Sequence, residues 1–298
     1  MAAIASHLNL ALRSIARHFS PENPIRKSAA SLWDWFLHAT GSYVDLPFCE
    51  ETIRLHSAFR SWNLDYESTA IRSFLARVRP GDTVWDIGAN IGIYSVLAGK
   101  RVGAAGRVLS WEPHPDVFQT LRDHIRANDL GSRCRLIQAA VNDGTTGDVS
   151  FTLEPDPTTS RILLQPGTRL TRSVVVPAKS LDDWRQEVQH HPQVLKVDVE
   201  GAEALVLRGG RRLLSGEFGP RPHLLLAVHP QFLGEFGSTS LDIEQLCREM
   251  DYLAYDLRGS LQPPLEYSEY WLIPSELSEE FCRSDSRINA EARSSKAS

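Results

Sequence analysis

The stretch Asp86-Ile87-Gly88-Ala89-Asn90-Ile91-Gly92 places an acidic residue directly before a glycine-bearing turn. The strand Thr83-Val84-Trp85 precedes it and an apolar helix starts at Ile91. A strand–turn–helix of this composition can present backbone N–H groups to a small bound molecule. Gly88 and Gly92 tolerate positive φ and allow close backbone approach. Asp86 selects the ligand's charge: a pyrophosphate would be repelled there, whereas an ammonium group would be held. Glu112 closes the next strand, where a carboxylate can accept hydrogen bonds from both hydroxyls of a ribose. Further on, Asp198 and Glu200 alternate along an extended segment and are expected on one side of it. His229 ends a later strand. Carboxylates and an imidazole at neighbouring strand ends could orient a hydroxyl and take its proton. His229 is the first choice of base, with Glu200 second and Asp198 positioning cofactor or acceptor.

These residues must be positioned by alternating strands and helices. Strands are expected at Thr83–Ile87, Arg107–Trp111, Cys134–Ala139, Val194–Val199, His223–Val228, Tyr252–Tyr255 and Tyr270–Ile273. Helices are expected at 68–78, 91–100, from 115, from Ser180-Leu181-Asp182-Asp183 with its capping-box form, at 203–208 and at 240–250. This order predicts an α/β fold. Its core is a doubly wound, mostly parallel seven-stranded sheet with the ligand at the carboxyl ends of the strands. Val149–Leu153 and Ser173–Val176 read as an inserted β hairpin facing the acceptor, with Ser160 and Arg161 in its loop. Residues 1–64 read as an N-terminal helical extension or cap. Short helices and turns are expected over 28–80, and residues 283–298 read as a disordered tail.

Two cofactor classes share a glycine turn with an acidic second-strand end: nicotinamide dinucleotides and S-adenosyl-L-methionine. Gly88-Ala89-Asn90-Ile91-Gly92 lacks the G-x-G-x-x-G triple of the first. S-adenosyl-L-methionine carries no phosphate and has a cationic amine, which suits Asp86. A nicotinamide-dependent oxidoreductase and a catalytically silent binding protein remain the alternatives.

Asp86-Ile-Gly-Ala-Asn-Ile-Gly92, Trp111-Glu112-Pro113-His114-Pro115, Ala139-Ala140-Val141, Ser180-Leu181-Asp182-Asp183, Lys196-Val-Asp-Val-Glu-Gly-Ala-Glu203 and Val206-Leu-Arg-Gly-Gly210 occur in this order. Together they resemble the FkbM family of S-adenosylmethionine-dependent methyltransferases over about residues 65–255. The resemblance implies a class I methyltransferase fold over 65–275 and O-methylation of a hydroxyl on a sugar, glycan or secondary metabolite. It assigns Asp86, Gly88, Asn90, Gly92, Glu112, Ala140 and Asp198 to the cofactor, and Asp198 and Glu200 to the side of the reactive methyl. One departure stands out. Where the family often has an acidic residue two positions before the histidine, this chain has Ala227.

The bulk numbers agree. The chain has 298 residues, 42% hydrophobic and 23% charged, as a packed core requires. A formal net charge of −5 without a basic stripe argues against a nucleic-acid partner. Cys49, Cys134, Cys247 and Cys282 are scattered, which excludes a CxxC zinc motif and fits a reducing cytoplasm. No apolar run is long enough for stable membrane insertion. Asp198, Glu200 and His229 could also be read as magnesium or manganese ligands, but carboxylates are common at these strand ends and no required metal is expected.

Overall fold

The computed structural model describes residues 43–49, 51–59, 68–152, 162–163 and 173–283. The chain divides into two compact units, Met1–Asn63 and Leu64–Ser298. In the first, β1 (Tyr43–Phe48) and β2 (Glu51–His56) form an antiparallel hairpin. Asp45 and Arg54 stand opposite each other and make a two-pronged ion pair at 2.7 and 3.0 Å. This corrects the helical reading of that stretch. Tyr43-Val44-Asp45-Leu46 and Thr52-Ile53-Arg54-Leu55 alternate with the period of a strand, as the burial of Ile53 and Leu55 shows. Residues 1–42 of the expected helical extension lie outside the described residues.

The second unit is built on strands β3 (Thr83–Ile87), β4 (Arg107–Trp111), β5 (Cys134–Ile137), β6 (Ala140–Asn142), β7 (Val149–Thr152), β8 (Ile162–Leu163), β9 (Ser173–Val176), β10 (Ala178–Ser180), β11 (Val194–Val197), β12 (His223–Val228), β13 (Tyr252–Tyr255) and β14 (Ser268–Pro274). Seven of them make one sheet in the order β13-β14-β12-β11-β3-β4-β5. Only β14 runs against its neighbours. The doubly wound, mostly parallel sheet expected from the sequence is therefore present. Its central strands are buried along their length, as strands covered on both faces must be. Trp85 and Trp111 pack 4.9 Å apart between centroids, and Trp111 meets Trp184 at 5.8 Å, which seats the helix Leu181–Val188 on the sheet.

Local signals set the helix ends. Ser180 and Asp183 form the expected capping box, and Thr239 with Asp242 forms another for Ser240–Glu249. The ring of His114 accepts from the N–H groups of Asp116 and Val117 and starts Pro115–Ala127. The expected third strand ends two residues early, at Ile137, and the next strand, β6, pairs instead with β10. The insertion is three-stranded, since β7 pairs with both β8 and β9. Ser160 and Arg161 lie outside the described residues.

The order of the sheet reverses between β3 and β11: the chain leaves β3 toward β4 and β5, and later fills the opposite side. A doubly wound sheet opens its ligand crevice at this point, beyond the carboxyl ends of the two strands. Residues 88–92 and 198–201 flank it.

Candidate active site

The turn after β3 is locked from within. The N–H groups of Gly88 and Ala89 donate to the Trp111 carbonyl at 3.0 and 2.9 Å. Asn90 N–H donates to Glu112 Oε2 at 2.8 Å, Ile91 N–H to Asn90 Oδ1 at 2.7 Å, and Gly92 N–H to the Ala89 carbonyl at 2.9 Å. The Ile91 carbonyl meets His124 Nδ1 at 2.7 Å. The expectation that this turn offers N–H groups to a ligand is therefore corrected: every one from Gly88 to Gly92 has an acceptor in the chain. The carbonyls of Gly88 and Asn90 accept no hydrogen bond among the described residues. The turn thus keeps two carbonyl oxygens with accepting capacity to spare.

Gly88 and Gly92 have φ of +77° and +90°, as their positions require, and Asn90 shares the left-handed region at +50°. The close approach that Gly88 permits is to the chain itself. A Cβ there would lie 1.8 Å from the Asp198 carbonyl oxygen. The two walls of the crevice therefore touch through this glycine.

Asp86 lies beneath the turn, fully buried. Its Oδ2 accepts from Ser95 Oγ at 2.6 Å and its Oδ1 faces Lys196 Nζ at 3.8 Å. Burial raises its pKa, against the opposing pull of Lys196. Lys196 bridges to Asp198 Oδ2 at 3.3 Å and sits over the Tyr94 ring. Lys196 is thus an internal ion-pair partner linking Asp86 to Asp198. Glu112, at 6% exposure, accepts from Asn90 N–H and, through Oε1, from His114 N–H at 2.8 Å. Burial drives its pKa up to about 7; the two N–H donors pull the other way and Asp86 adds to the rise. A carboxylate offers about four lone-pair sites, so two remain. Ala140 is buried on β6, and its N–H is spent on the Pro177 carbonyl at 2.9 Å, so it has no donor to give an adenine ring.

The other wall carries the acids. β11 ends at Val197, and the chain turns rather than staying extended, with Glu200 at φ +50° and Gly201 at +102°. Asp198 and Glu200 nevertheless converge on His229, because the turn folds Glu200 back. Asp198 Oδ1 and Glu200 Oε2 lie 3.8 and 3.7 Å from His229 Nε2. His229 Nδ1 bonds Glu203 Oε1 at 2.8 Å, and the same oxygen accepts Gly201 N–H at 3.0 Å. Burial lowers the pKa of His229, but the Glu203 bond and the charges of Asp198, Glu200 and Glu203 outweigh it and lift it to about 9. With Nδ1 on one carboxylate and Nε2 facing two more, the ring holds a proton more firmly than a free imidazole and is a weaker proton acceptor than its position at the strand end suggested.

Two participants escape a linear reading. Glu203 was read as a helix start and as the last residue of the Lys196–Glu203 motif, with no role at the site assigned to it. Glu269 stands directly opposite Ala227 in the β12–β14 pairing, so both side chains share a face. Its carboxylate feels the charges of Asp198, Lys196 and His229, and burial with the Asp198 charge raises its pKa. The missing acid at Ala227 was the available signal. Tyr267, 57% exposed, holds its ring 5.4 Å from that of His229.

Strand order, switch-point crevice and acidic strand ends define a class I methyltransferase fold. The Methyltransferase FkbM domain matches residues 86–254, more than half of the sequence, and the chain belongs to that family of methyltransferases. The hexuronic acid methyltransferase AglP of Haloferax volcanii is 28% identical over 242 residues, 77% of this chain and 96% of that protein. The methyltransferase sdnD of Sordaria araneosa is 26% identical over 166 residues, 45% of this chain and 62% of that one. A crystal structure of methyltransferase FkbM from Methylobacillus flagellatus superposes with a TM-score of 0.43 at 16% identity. That alignment covers 91% of this chain and 60% of the other. No helix among the described residues is long and apolar enough to cross a membrane.

Proposed function

We propose that the chain is an S-adenosyl-L-methionine-dependent O-methyltransferase acting on a hydroxyl of a sugar or sugar acid. The carrying observation is the polarity of the crevice. The turn 88–92 has spent its N–H groups and keeps carbonyl oxygens, and Glu112 stands at the next strand end with spare lone pairs. A dinucleotide needs free N–H groups for its diphosphate. A ligand with a cationic amine, a ribose and no phosphate suits this wall, which also disfavours the nicotinamide reading. When bound, S-adenosyl-L-methionine supplies a methyl group already activated on a sulfonium. The chain's own task is to hold both reactants in line and to receive the acceptor's proton.

Gly88 and Asn90 would meet the amino-acid end through their carbonyls, and Glu112 the ribose hydroxyls. Asp86 acts from below, holding Lys196 and adding negative field. On the acceptor side, Asp198, Glu200 and His229 surround the reacting oxygen, and Glu269 takes the proton in place of an acid at position 227. The exposed ring of Tyr267 offers a flat apolar face to a sugar. AglP acts on a hexuronic acid, which supports a sugar-type acceptor, and the net charge of −5 gives a nucleic-acid acceptor no support.

The reading is tested by calorimetry with S-adenosyl-L-homocysteine and NAD, then by methyl transfer to hexuronic-acid glycosides followed by mass spectrometry. Alkaline hydrolysis separates a stable methyl ether from a labile methyl ester. Binding of NAD without the nucleoside product would sink it.

Two further outcomes are expected. Glu112 is a stronger acceptor for the ribose hydroxyls when ionised, so nucleoside affinity should rise with pH and level off above about 8. Between pH 8 and 6 it should fall by up to about tenfold, since a group near 7 is roughly one-tenth ionised at pH 6. Binding favours the ionised form and therefore releases protons near neutrality, which calorimetry in buffers of different ionisation enthalpy will read. Glu269→Gln keeps the shape but cannot take a proton. Turnover should fall about 100-fold or more with nucleoside affinity unchanged. Wild-type turnover in that variant would remove Glu269 from the chemistry.

A further inference from the structure

We propose that Asp198, Glu200 and His229 form a site for a hard divalent cation, Mg2+ or Mn2+, that holds the acceptor oxygen and acidifies its hydroxyl. This rests on the methyl-transfer reading and names what activates the acceptor there. It reverses the expectation, drawn from the sequence, of a site with no required metal.

The spacing is the first argument. One donor atom from each of the three residues lies within 4.8 Å of the others. His229 Nε2 stands 3.8 Å from Asp198 Oδ1 and 3.7 Å from Glu200 Oε2, too far for hydrogen bonds. Around an ion with bonds of about 2.1–2.4 Å, adjacent donors are about 3.0–3.4 Å apart and opposite donors about 4.2–4.8 Å. The three side chains thus reach ligand spacing with small rotations.

The second argument is independent of the two acids. His229 is 5% exposed, and its Nε2 makes no hydrogen bond among the described residues. Its other nitrogen is fixed on Glu203, which is fully buried. A carboxylate accepts, so Nδ1 carries the hydrogen, and the Nε2 lone pair of the neutral ring points at Asp198 and Glu200. A histidine backed by a carboxylate in this way is the usual arrangement of a metal ligand. Glu203 also holds Gly201 N–H, so one buried side chain positions the ring and the turn that carries Glu200.

The donor set sets the ion. Two carboxylates and one imidazole without thiolate suit Mg2+ or Mn2+, and three protein ligands leave positions for water and the acceptor. Lys196 occupies Asp198 Oδ2 and leaves Oδ1 for the ion. The coordinated hydroxyl gives its proton to Glu269. The oxygen lone pair forms the new bond to the methyl carbon, and the carbon–sulfur electron pair stays with sulfur.

The test uses the full chain, stripped with EDTA and titrated with Mn2+ while the free-ion signal is followed by electron paramagnetic resonance. One Mn2+ per chain is expected, displaced by Mg2+. Glu200→Gln and His229→Asn should weaken it by at least about 100-fold, and Glu203→Gln by about 10–100-fold. Homocysteine-nucleoside affinity should stay within about threefold of wild type in Glu200→Gln. Mn2+ that remains free at millimolar concentration, or that binds Glu200→Gln and His229→Asn like the wild type, overturns the site. A protein that binds S-adenosyl-L-homocysteine but no Mn2+ loses this inference and keeps the methyltransferase reading. One that binds neither loses both.

Discussion

His229→Asn is expected to lower turnover by about 100- to 10,000-fold while leaving S-adenosyl-L-homocysteine affinity close to wild type. The asparagine amide occupies the place of Nδ1 and can still donate to Glu203 Oε1, now 2.8 Å from the imidazole. What disappears is Nε2, the atom facing Asp198 and Glu200 at 3.8 and 3.7 Å. The variant therefore removes the acceptor-side function without taking the ring's hydrogen bond from Glu203. His229→Ala does both. It should show the same loss of turnover together with a loss of about 1–3 kcal/mol in stability, since the buried Glu203 carboxylate keeps Gly201 N–H but loses its other donor. Single-turnover kinetics with urea denaturation separate the two. If His229→Asn turns over like the wild type, the imidazole has a packing role only.

Much of this site was legible because its signals are local. An acid followed by two glycines at a strand end, and a capping pair at Ser180 and Asp183, report on residues within one turn of each other. The remainder depends on pairing across the sheet. Whether the N–H groups of 88–92 are free is decided by Trp111 and Glu112 on the adjacent strand. That Ala227 has a carboxylate beside it follows from the register of β14, forty-odd residues further along. The hairpin at β1 and β2 was missed for another reason. Its two-residue alternation was short and carried Pro47, which weakens a strand signal.

Gly88→Ala should be the most disruptive single methyl in the second unit. At φ +77° an alanine is strained, and its Cβ would lie 1.8 Å from the Asp198 carbonyl oxygen and 2.9 Å from the carbon bearing it. Neither wall can retreat freely. Asp198 N–H donates to the Ile87 carbonyl at 3.0 Å, and Gly88 N–H to Trp111 at 3.0 Å, so separation breaks the pairing of β3 with both neighbours. Gly81→Ala supplies the comparison: φ is +94°, with nothing within 4 Å of the added carbon. It should cost only the backbone term, about 1–2 kcal/mol. Gly88→Ala should cost about 3 kcal/mol or more, a fall of roughly 6–12 °C in melting temperature for a unit of this size, with nucleoside binding lost as the turn shifts. The difference between the two variants measures how tightly the cofactor-side turn is seated on the acceptor-side strand. Equal stability in the two would mean that the turn can move away from Asp198 at little cost, and that the walls of the crevice are mechanically independent.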